Sequence, residues 1–379
     1  MPHELKEAQM KKILIATAVA ASFASVAHAQ SSVTLYGTLD TSISYTSNVN
    51  GGHQWAVGSG STDENRFGLR GVEDLGGGLK TIFTLEEGFD TNNGAQASQG
   101  KMFSRQAFVG LSSEAGTVTL GRQYDAMQDF VSPLSATGSW GGANFAHYGN
   151  LDHLDKNSEN AANNSIKFAS ANYAGFSFGG TYSFSNSSQF ANNRAYSFGA
   201  GYENAGLRVG AGYAQQNNPN ATSGGAYNNP DLSNIGLTGV SFRQREFGAG
   251  ATYAFGPALF GIVWTQARLD NVTGGAGSVH TNNYEANARY NLTPALALGV
   301  AYTYSNGAAE DAHFHANQIG LKGDYALSRR TDVYAQGTYQ ETSAPAGSTI
   351  HAVIDNGSAT GVSSSHRQGV ASVGLRHRF

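Results

Sequence analysis

The sequence predicts an all-β protein, namely a 16-stranded antiparallel transmembrane β-barrel with an inward-folded third loop. Three observations predict it. Apolar residues recur at every second position in run after run, and the connections between runs alternate between short and long. Charged residues make up only 13% of the chain, against about 25% in soluble domains. Alternation with a period of two is typical of strands that have one apolar and one polar face.

The N-terminus is predicted to be a secretory signal peptide. Lys11 and Lys12 form a positively charged start, residues 13–26 are apolar, and Ala27-His28-Ala29 is a small-residue cleavage site. A membrane anchor is the alternative. The apolar run is shorter than a spanning helix and ends in small residues, so the signal peptide is favoured.

Two regions follow from this assignment: a signal peptide at residues 1–29, in which 1–9 is an upstream extension, and one barrel domain at residues 30–379. The mature protein should therefore begin at Gln30. Intact-mass spectrometry of the protein purified from membranes should give the mass of residues 30–379. A product that retains residues 1–29 would contradict the signal peptide.

Strands can be placed along the rest of the chain from the alternation. In the first strand, Leu35, Leu39 and Ile43 share one face, whereas Tyr36 and Asp40 share the other. An outer-membrane barrel has short periplasmic turns and long outer loops, and an even number of strands leaves both termini on the periplasmic side. Short turns are predicted near residues 73–78, 113–116, 173–175, 203–206, 255–257, 291–294 and 327–330.

A soluble β-sandwich would also alternate its faces. The membrane barrel is favoured because the apolar faces carry Tyr, Phe, Leu, Val and Ala, while the charges lie on the opposite faces. Lipid tolerates no open sheet edge, so such strands must close on themselves. A barrel of this many strands encloses a water-filled channel. The net charge of −4 is too small to indicate nucleic acid, and the absence of cysteine excludes a disulfide framework.

Arginines within the strands predict which face lines the channel. A lipid-facing arginine at the bilayer midplane costs about 2–4 kcal/mol, so these residues should point inward. Arg66 and Arg70 alternate with apolar residues, and Arg105 has the parity opposite to that of Phe108. Arg122 shares the parity of outward-facing neighbours, so its predicted lumen position requires a local twist or a place beyond the lipid zone.

The longest break in the alternation runs from Ala126 to Asn163. Long loops without secondary structure are usually functional. We expect this one to fold into the lumen, where its carboxylates, together with Asp125, would face the arginines and restrict solutes by charge as well as size. The alternative is that the loop lies outside, like the others, and the arginines line a wet wall.

Several motifs span the mature chain: QSSVTLYG at the start, ENRFGLRGVEDLGGGLK, SRQAFVGL, GTVTLGRQYD, NNSIKFAS, and GLRHRF at the end. Together they resemble the general diffusion porins of Gram-negative bacteria, nearest the beta-proteobacterial, neisserial type. The resemblance implies a homotrimer in outer-membrane lipid, passive flux of ions and small hydrophilic solutes, no cofactor, and a constriction formed by the third loop.

The resemblance also implies roles for particular residues. The basic side of the constriction carries over to Arg66, Arg70, Arg105 and Arg122, and the acidic side to Asp125 and Asp129. A third arginine that often precedes the NNSI motif is replaced by alanine, which argues against strong anion selectivity. The terminal Phe379 resembles the signal read by the barrel assembly machinery; a residue of the interfacial aromatic girdle is the alternative reading.

Two other function classes remain as alternatives. A barrel enzyme would need a catalytic constellation, and His147 and His153 have no nucleophile or orienting group that the sequence can place beside them. An adhesin or receptor, whose outer loops bind a host or phage ligand, is compatible with a channel. The sequence therefore favours a transport channel that is not an enzyme.

Overall fold

The computed structural model describes residues 31–98, 100–155, 157–219, 224–227, 242–272, 277–309, 312–345, 350–355 and 361–379. The predicted signal peptide at residues 1–29 lies outside them. Seventeen strand segments form one antiparallel sheet that closes on itself. They are β1 Ser32–Val49, β2 Gly52–Ser59, β3 Arg66–Gly76, β4 Leu79–Gly88, β5 Gln106–Ser113, β6 Gly116–Gln123, β7 Ala162–Ser170, β8 Phe176–Ser183, β9 Arg194–Asn204, β10 Leu207–Asn217, β11 Arg243–Phe255, β12 Ala258–Val272, β13 Gly277–Asn291, β14 Leu296–Ala309, β15 Ala312–Ala326, β16 Thr331–Ser343 and β17 Arg367–Arg378.

These segments make a barrel of sixteen strands, because β2 and β3 together occupy one strand position next to β1. Residues 41–49 of β1 pair with β2, and residues 32–38 of β1 pair with β3 on the same side. Residues 60–65 interrupt the strand between β2 and β3. Asp40 holds the interruption in place, since its carboxylate accepts the backbone N–H groups of Thr62 at 2.8 Å and Asp63 at 2.7 Å. The predicted 16-stranded antiparallel barrel is confirmed.

The barrel closes where β17 meets β1, in an antiparallel register from Thr38↔Arg378 to Thr46↔Val370. The last residue takes part in this seam. Gly37 and Phe379 exchange two backbone hydrogen bonds, each of 3.1 Å. A methyl group at Gly37 would lie 2.3 Å from the ring of Phe379, so glycine lets the terminal ring cover the seam on the outer face.

Turn lengths give the barrel its two ends. Each predicted short turn coincides with a connection between consecutive strands, and the long connections lie at the opposite end. The outer face between the ends is apolar: Ile262 is 64% exposed and Phe260 55% exposed. Among the described residues, no helix has the length and apolar character needed to cross a bilayer.

The seam predicts a difference between two outward-facing glycines. Gly37→Ala should destabilise the barrel, because the added methyl group meets the Phe379 ring and lies 2.5 Å from the Arg66 carbonyl oxygen. Overpacking of this kind costs about 1–3 kcal/mol. Gly323→Ala is the matched control, because its methyl group would make only an ordinary contact of 3.6 Å with Leu298.

The measurement is the melting temperature of the refolded barrel in detergent, followed by the shift between folded and unfolded bands on a gel. Gly37→Ala should melt below the wild type, and Gly323→Ala should not. Equal melting temperatures for the two variants would show that the Phe379 ring does not constrain the seam.

Candidate channel constriction

The connection between β6 and β7 folds into the barrel, which confirms the predicted inward third loop. It begins with α1, Ala126–Phe130, and continues through 3₁₀ turns at Ser132–Leu134, Ala143–Phe145, Tyr148–Asn150 and Ser158–Asn160. We call residues 124–161 the inward loop. Among its described side chains, only Asp129 and Ser139 are exposed. The loop is therefore packed against the wall along most of its length.

Glycines on the inner wall receive the aromatic side chains of the inward loop. Trp140 lies on Gly299 of β14, and Phe145 on Gly320 of β15. A methyl group at either glycine would lie 2.4 Å from the facing ring. The ring of Phe130 packs in the same way on two glycines of β9. Without side chains at these positions, the wall lets the rings approach its backbone, so loop and wall share small apolar clusters.

A buried histidine provides a polar attachment. His147 is enclosed between two carboxylates: its Nδ1 lies 2.6 Å from Asp152 of the loop and its Nε2 lies 3.0 Å from Glu285 of β13. Thr265 of β12 donates to the same Asp152 carboxylate at 2.5 Å. Burial alone would lower the pKa of His147, but the two carboxylates outweigh it and raise the pKa to about 10. The ring is therefore a cation that links loop and wall.

Further contacts fix the loop to neighbouring strands. Nδ1 of His153 lies 2.8 Å from Glu246 of β11. Lys322 of β15 donates to the carbonyl of Trp140 at 3.0 Å, and Gln318 donates to another loop carbonyl at 2.9 Å. Strands β11 to β15 thus hold the inward loop at separate points along its length.

Two of the predicted arginines lie on the opposite side of the barrel, each beside carboxylates. Arg66 of β3 donates to Asp63 at 2.8 Å and lies 3.8 Å from Glu86. Arg105 is buried just before β5, where it bonds Glu86 at 2.7 Å and also pairs with Glu64. The carboxylates that contact these arginines come from the wall and from the interruption between β2 and β3. Their negative charges offset the positive charges of the two arginines.

Arg70 differs from its neighbours. It faces inward on β3, and its guanidinium carbon lies 5.3 Å from the centre of the Tyr36 ring. Its side chain is exposed. Within the part of the chain that the structure describes, no carboxylate forms an ion pair with it, so its charge is open to water in the lumen.

Arg122 lies in register with outward-facing Ala107, in keeping with its sequence parity. Its guanidinium is buried and donates to the carbonyls of Ser104 at 2.6 Å, Ala161 at 2.7 Å and Ser158. These bonds tie the end of the inward loop to the start of β5. A direct role of Arg122 in the constriction stays a prediction.

The two predicted acidic residues occupy different environments. Asp125 is the N-cap of α1 and accepts two backbone N–H groups, at 2.9 and 3.2 Å. Burial, assisted by the charge of Glu246, raises the pKa of Asp125 to about 7. Asp129 is exposed and pairs with Lys167 of β7 at 2.5 Å. Among the described carboxylates of the inward loop, Asp129 is therefore the exposed one.

The partners of these charged groups are not evident from the sequence. Glu86 and Glu285 alternate with outward-facing apolar residues, so strand parity was a usable signal for their inward position. No sequence signal pairs Glu64 with an arginine 41 residues later. The Asn, Gln and Thr side chains that bond the inward loop were likewise not predictable, because their positions depend on which strands face the loop.

A closed barrel with an apolar outer face, inward charges and a loop fixed in its lumen defines an outer-membrane β-barrel channel. The chain belongs to the Gram-negative porin family, whose sequence profile matches residues 16–345. This family and the fold both point to a channel rather than an enzyme. Its place is the outer membrane of a Gram-negative cell.

Individual relatives match nearly the whole chain. It is 29% identical to an outer membrane porin protein of Bordetella pertussis and 30% identical to outer membrane porin protein 32 of Delftia acidovorans, over 98% of this chain and 100% of each relative. A solved structure described as an anion-selective porin from Comamonas acidovorans has a TM-score of 0.75 at 27% identity, covering 92% of this chain and 100% of its own.

The His147 contacts predict that attachment of the inward loop depends on pH. Since the folded-state pKa is raised from 6.5 to about 10, the stabilisation is complete below the unfolded value and is lost as the pH rises through about 10. Hydrogen-exchange protection of residues 143–155, corrected for intrinsic exchange rates, should fall over that interval.

His147→Asn removes the titrating cation. Breaking a buried ion pair costs about 3–5 kcal/mol, so protection should drop roughly 100-fold or more and lose this pH dependence. His53→Asn, at an exposed position of β2, is the matched control and should behave as the wild type. The same alkaline loss of protection in His147→Asn would assign it to another group.

Proposed function

We propose that the protein allows passive diffusion of ions and small hydrophilic solutes through its lumen, with the inward loop setting the cross-section. The observation that carries this proposal is the attachment of the loop inside the barrel, through aromatic rings on wall glycines and through His147. A flexible outer loop would not define a bore. A loop held at several points presents solutes with a fixed passage.

Charge selectivity, in this proposal, comes from the arginine row Arg66, Arg70, Arg105 and Arg122 and from the acidic loop residues Asp125 and Asp129. Opposed charges across a narrow passage create a transverse field that acts on passing ions. Exposure and ion pairing indicate how strongly each of these residues should act on a passing ion. Arg66 and Arg105 have carboxylate partners, and Asp125 caps a helix. Asp129 is exposed but paired with Lys167, so Arg70, which has no ion pair within the described chain, should have the largest effect.

Assembly is also part of the proposal. We propose a homotrimer, in line with the family resemblance; OmpT of Vibrio cholerae, which shares the fold, has a structure described as a trimer form. Phe379 would be recognised by the barrel assembly machinery before it completes the seam. Its position at the junction of the first and last strands supports this role, because that junction forms when the sheet closes.

Single-channel recording in planar lipid bilayers tests the channel itself. Purified protein should produce stable, stepwise openings in potassium chloride solution. A protein that is folded but leaves the bilayer silent would contradict diffusion through the lumen.

Selectivity is tested at Arg70. Arg70→Glu should shift the reversal potential in a salt gradient toward cations. A unit charge at 4 Å contributes about 1 kcal/mol even in water, so the permeability ratio should change several-fold. Arg105→Glu should also favour cations, but it would place a carboxylate beside Glu64 and Glu86 and weaken the wall.

Arg367→Glu is the matched control for Arg70→Glu, because it makes the same charge change at an exposed position outside the lumen. Its reversal potential should equal that of the wild type. If Arg70→Glu and Arg367→Glu gave the same potential, the arginine at position 70 would have no part in selectivity.

A further inference from the structure

A cluster of cations lies at the long-loop end of β11 and β12. Three guanidinium groups surround one carboxylate, that of Asp270: Arg243 at 3.2 Å, Arg245 at 2.7 Å and Arg268 at 2.7 Å. We call these four residues the Asp270 cluster. Three positive charges against one negative leave an excess of two.

The Asp270 cluster faces outward, not into the channel. Arg243 pairs with Asp270, and Arg245 with Arg268, across β11 and β12. Beyond Gln266, the outward row of β12 continues with apolar, exposed residues: Trp264 is 37% exposed and Ile262 64% exposed. The cluster therefore continues the lipid-facing surface, and His280 of β13 lies beside Arg268 in the register.

Its height above the apolar surface matches a lipid headgroup. Arg268 lies four residues beyond Trp264, which is about 13 Å along a strand and about 9 Å along the membrane normal for a strand tilted by about 45°. Aromatic residues such as Trp264 mark the hydrocarbon boundary in outer-membrane barrels. The headgroup layer begins there, so the guanidinium groups lie at its level in the outer leaflet.

The guanidinium groups are also free to bind. The side chains of Arg243, Arg245 and Arg268 are 41%, 28% and 49% exposed, while Asp270 is only 9% exposed. Arg268 bonds Asp270 through Nε, and within the described chain its two terminal nitrogens have no hydrogen-bond partner. The carboxylate thus orders the cations without neutralising them.

We propose that the Asp270 cluster binds the phosphate of a phosphorylated outer-leaflet lipid, whose acyl chains lie along the apolar rows below. Arginine recognises phosphate through paired, charge-assisted hydrogen bonds. A lipid fits better than free phosphate because the cluster is continuous with the surface that contacts lipid. The rim pair Arg367–Glu341, at 2.8 Å, has one charge of each sign and offers no such excess.

The test compares the folded wild type with Arg245→Gln/Arg268→Gln in detergent, by native mass spectrometry with diphosphorylated lipid A as the probe. The wild type should retain the lipid, and the double variant should bind it at least about tenfold more weakly, or 1.4 kcal/mol. Arg367→Gln is the matched control and should bind as the wild type. Equal binding by the double variant and the wild type would overturn the proposal.

Two further arms keep the test decisive. Dephosphorylated lipid A should bind the wild type weakly, with about the affinity of the double variant for intact lipid A. If the wild type bound both lipids equally, contacts with the acyl chains alone would hold the lipid and the proposal would be wrong. Asp270→Asn keeps all three arginines and removes the one negative charge, so it should bind the intact lipid at least as tightly as the wild type. Loss of binding in folded Asp270→Asn, or displacement of the lipid by equimolar inorganic phosphate, would also overturn the proposal.

Discussion

Closure of the sheet between β1 and β17 is the constraint on which the rest of the structure depends. In hydrocarbon every backbone N–H and C=O needs a partner within the protein, and an open edge would leave a row of them unpaired. The seam satisfies this requirement up to the last residue, where Phe379 and Gly37 exchange two hydrogen bonds. Once the sheet is closed, side chains on alternate positions must face either lipid or lumen, and charged side chains at mid-strand positions such as Glu86 and Glu285 are directed inward.

A closed barrel of this size cannot fill its interior with strand side chains alone. The inward loop supplies the missing contacts, and it does so without a continuous core. Small apolar clusters form where rings meet glycines, such as Phe145 on Gly320, and a buried cation, His147, joins carboxylates of loop and wall. Of the predicted constriction residues, Arg70 is exposed and has no ion pair within the described chain, whereas Asp129 is exposed and paired with Lys167.

The elements predictable from the sequence were those that depend on local periodicity. Alternation identified the strands, the turns and the inward parity of Arg66 and Arg70, because each requires only neighbouring residues. The break between β2 and β3 was missed, since Asp40 stabilises it from a different strand. The pairing of Arg105 with Glu64, and the use of Arg122 to tie the loop to β5, depend on contacts between residues distant in the chain, which no local pattern encodes.

In a water-filled barrel that spans the membrane, alternate residues of one strand face water and lipid. Since the chain contains no cysteine, single substitutions report on this directly. Protein carrying Arg70→Cys or Leu69→Cys, reconstituted in lipid vesicles, would be treated with a charged, water-soluble maleimide. Position 70 should be labelled rapidly, and position 69 should be protected. Equal labelling at both positions, or the reverse pattern, would contradict a water-filled barrel that spans the membrane.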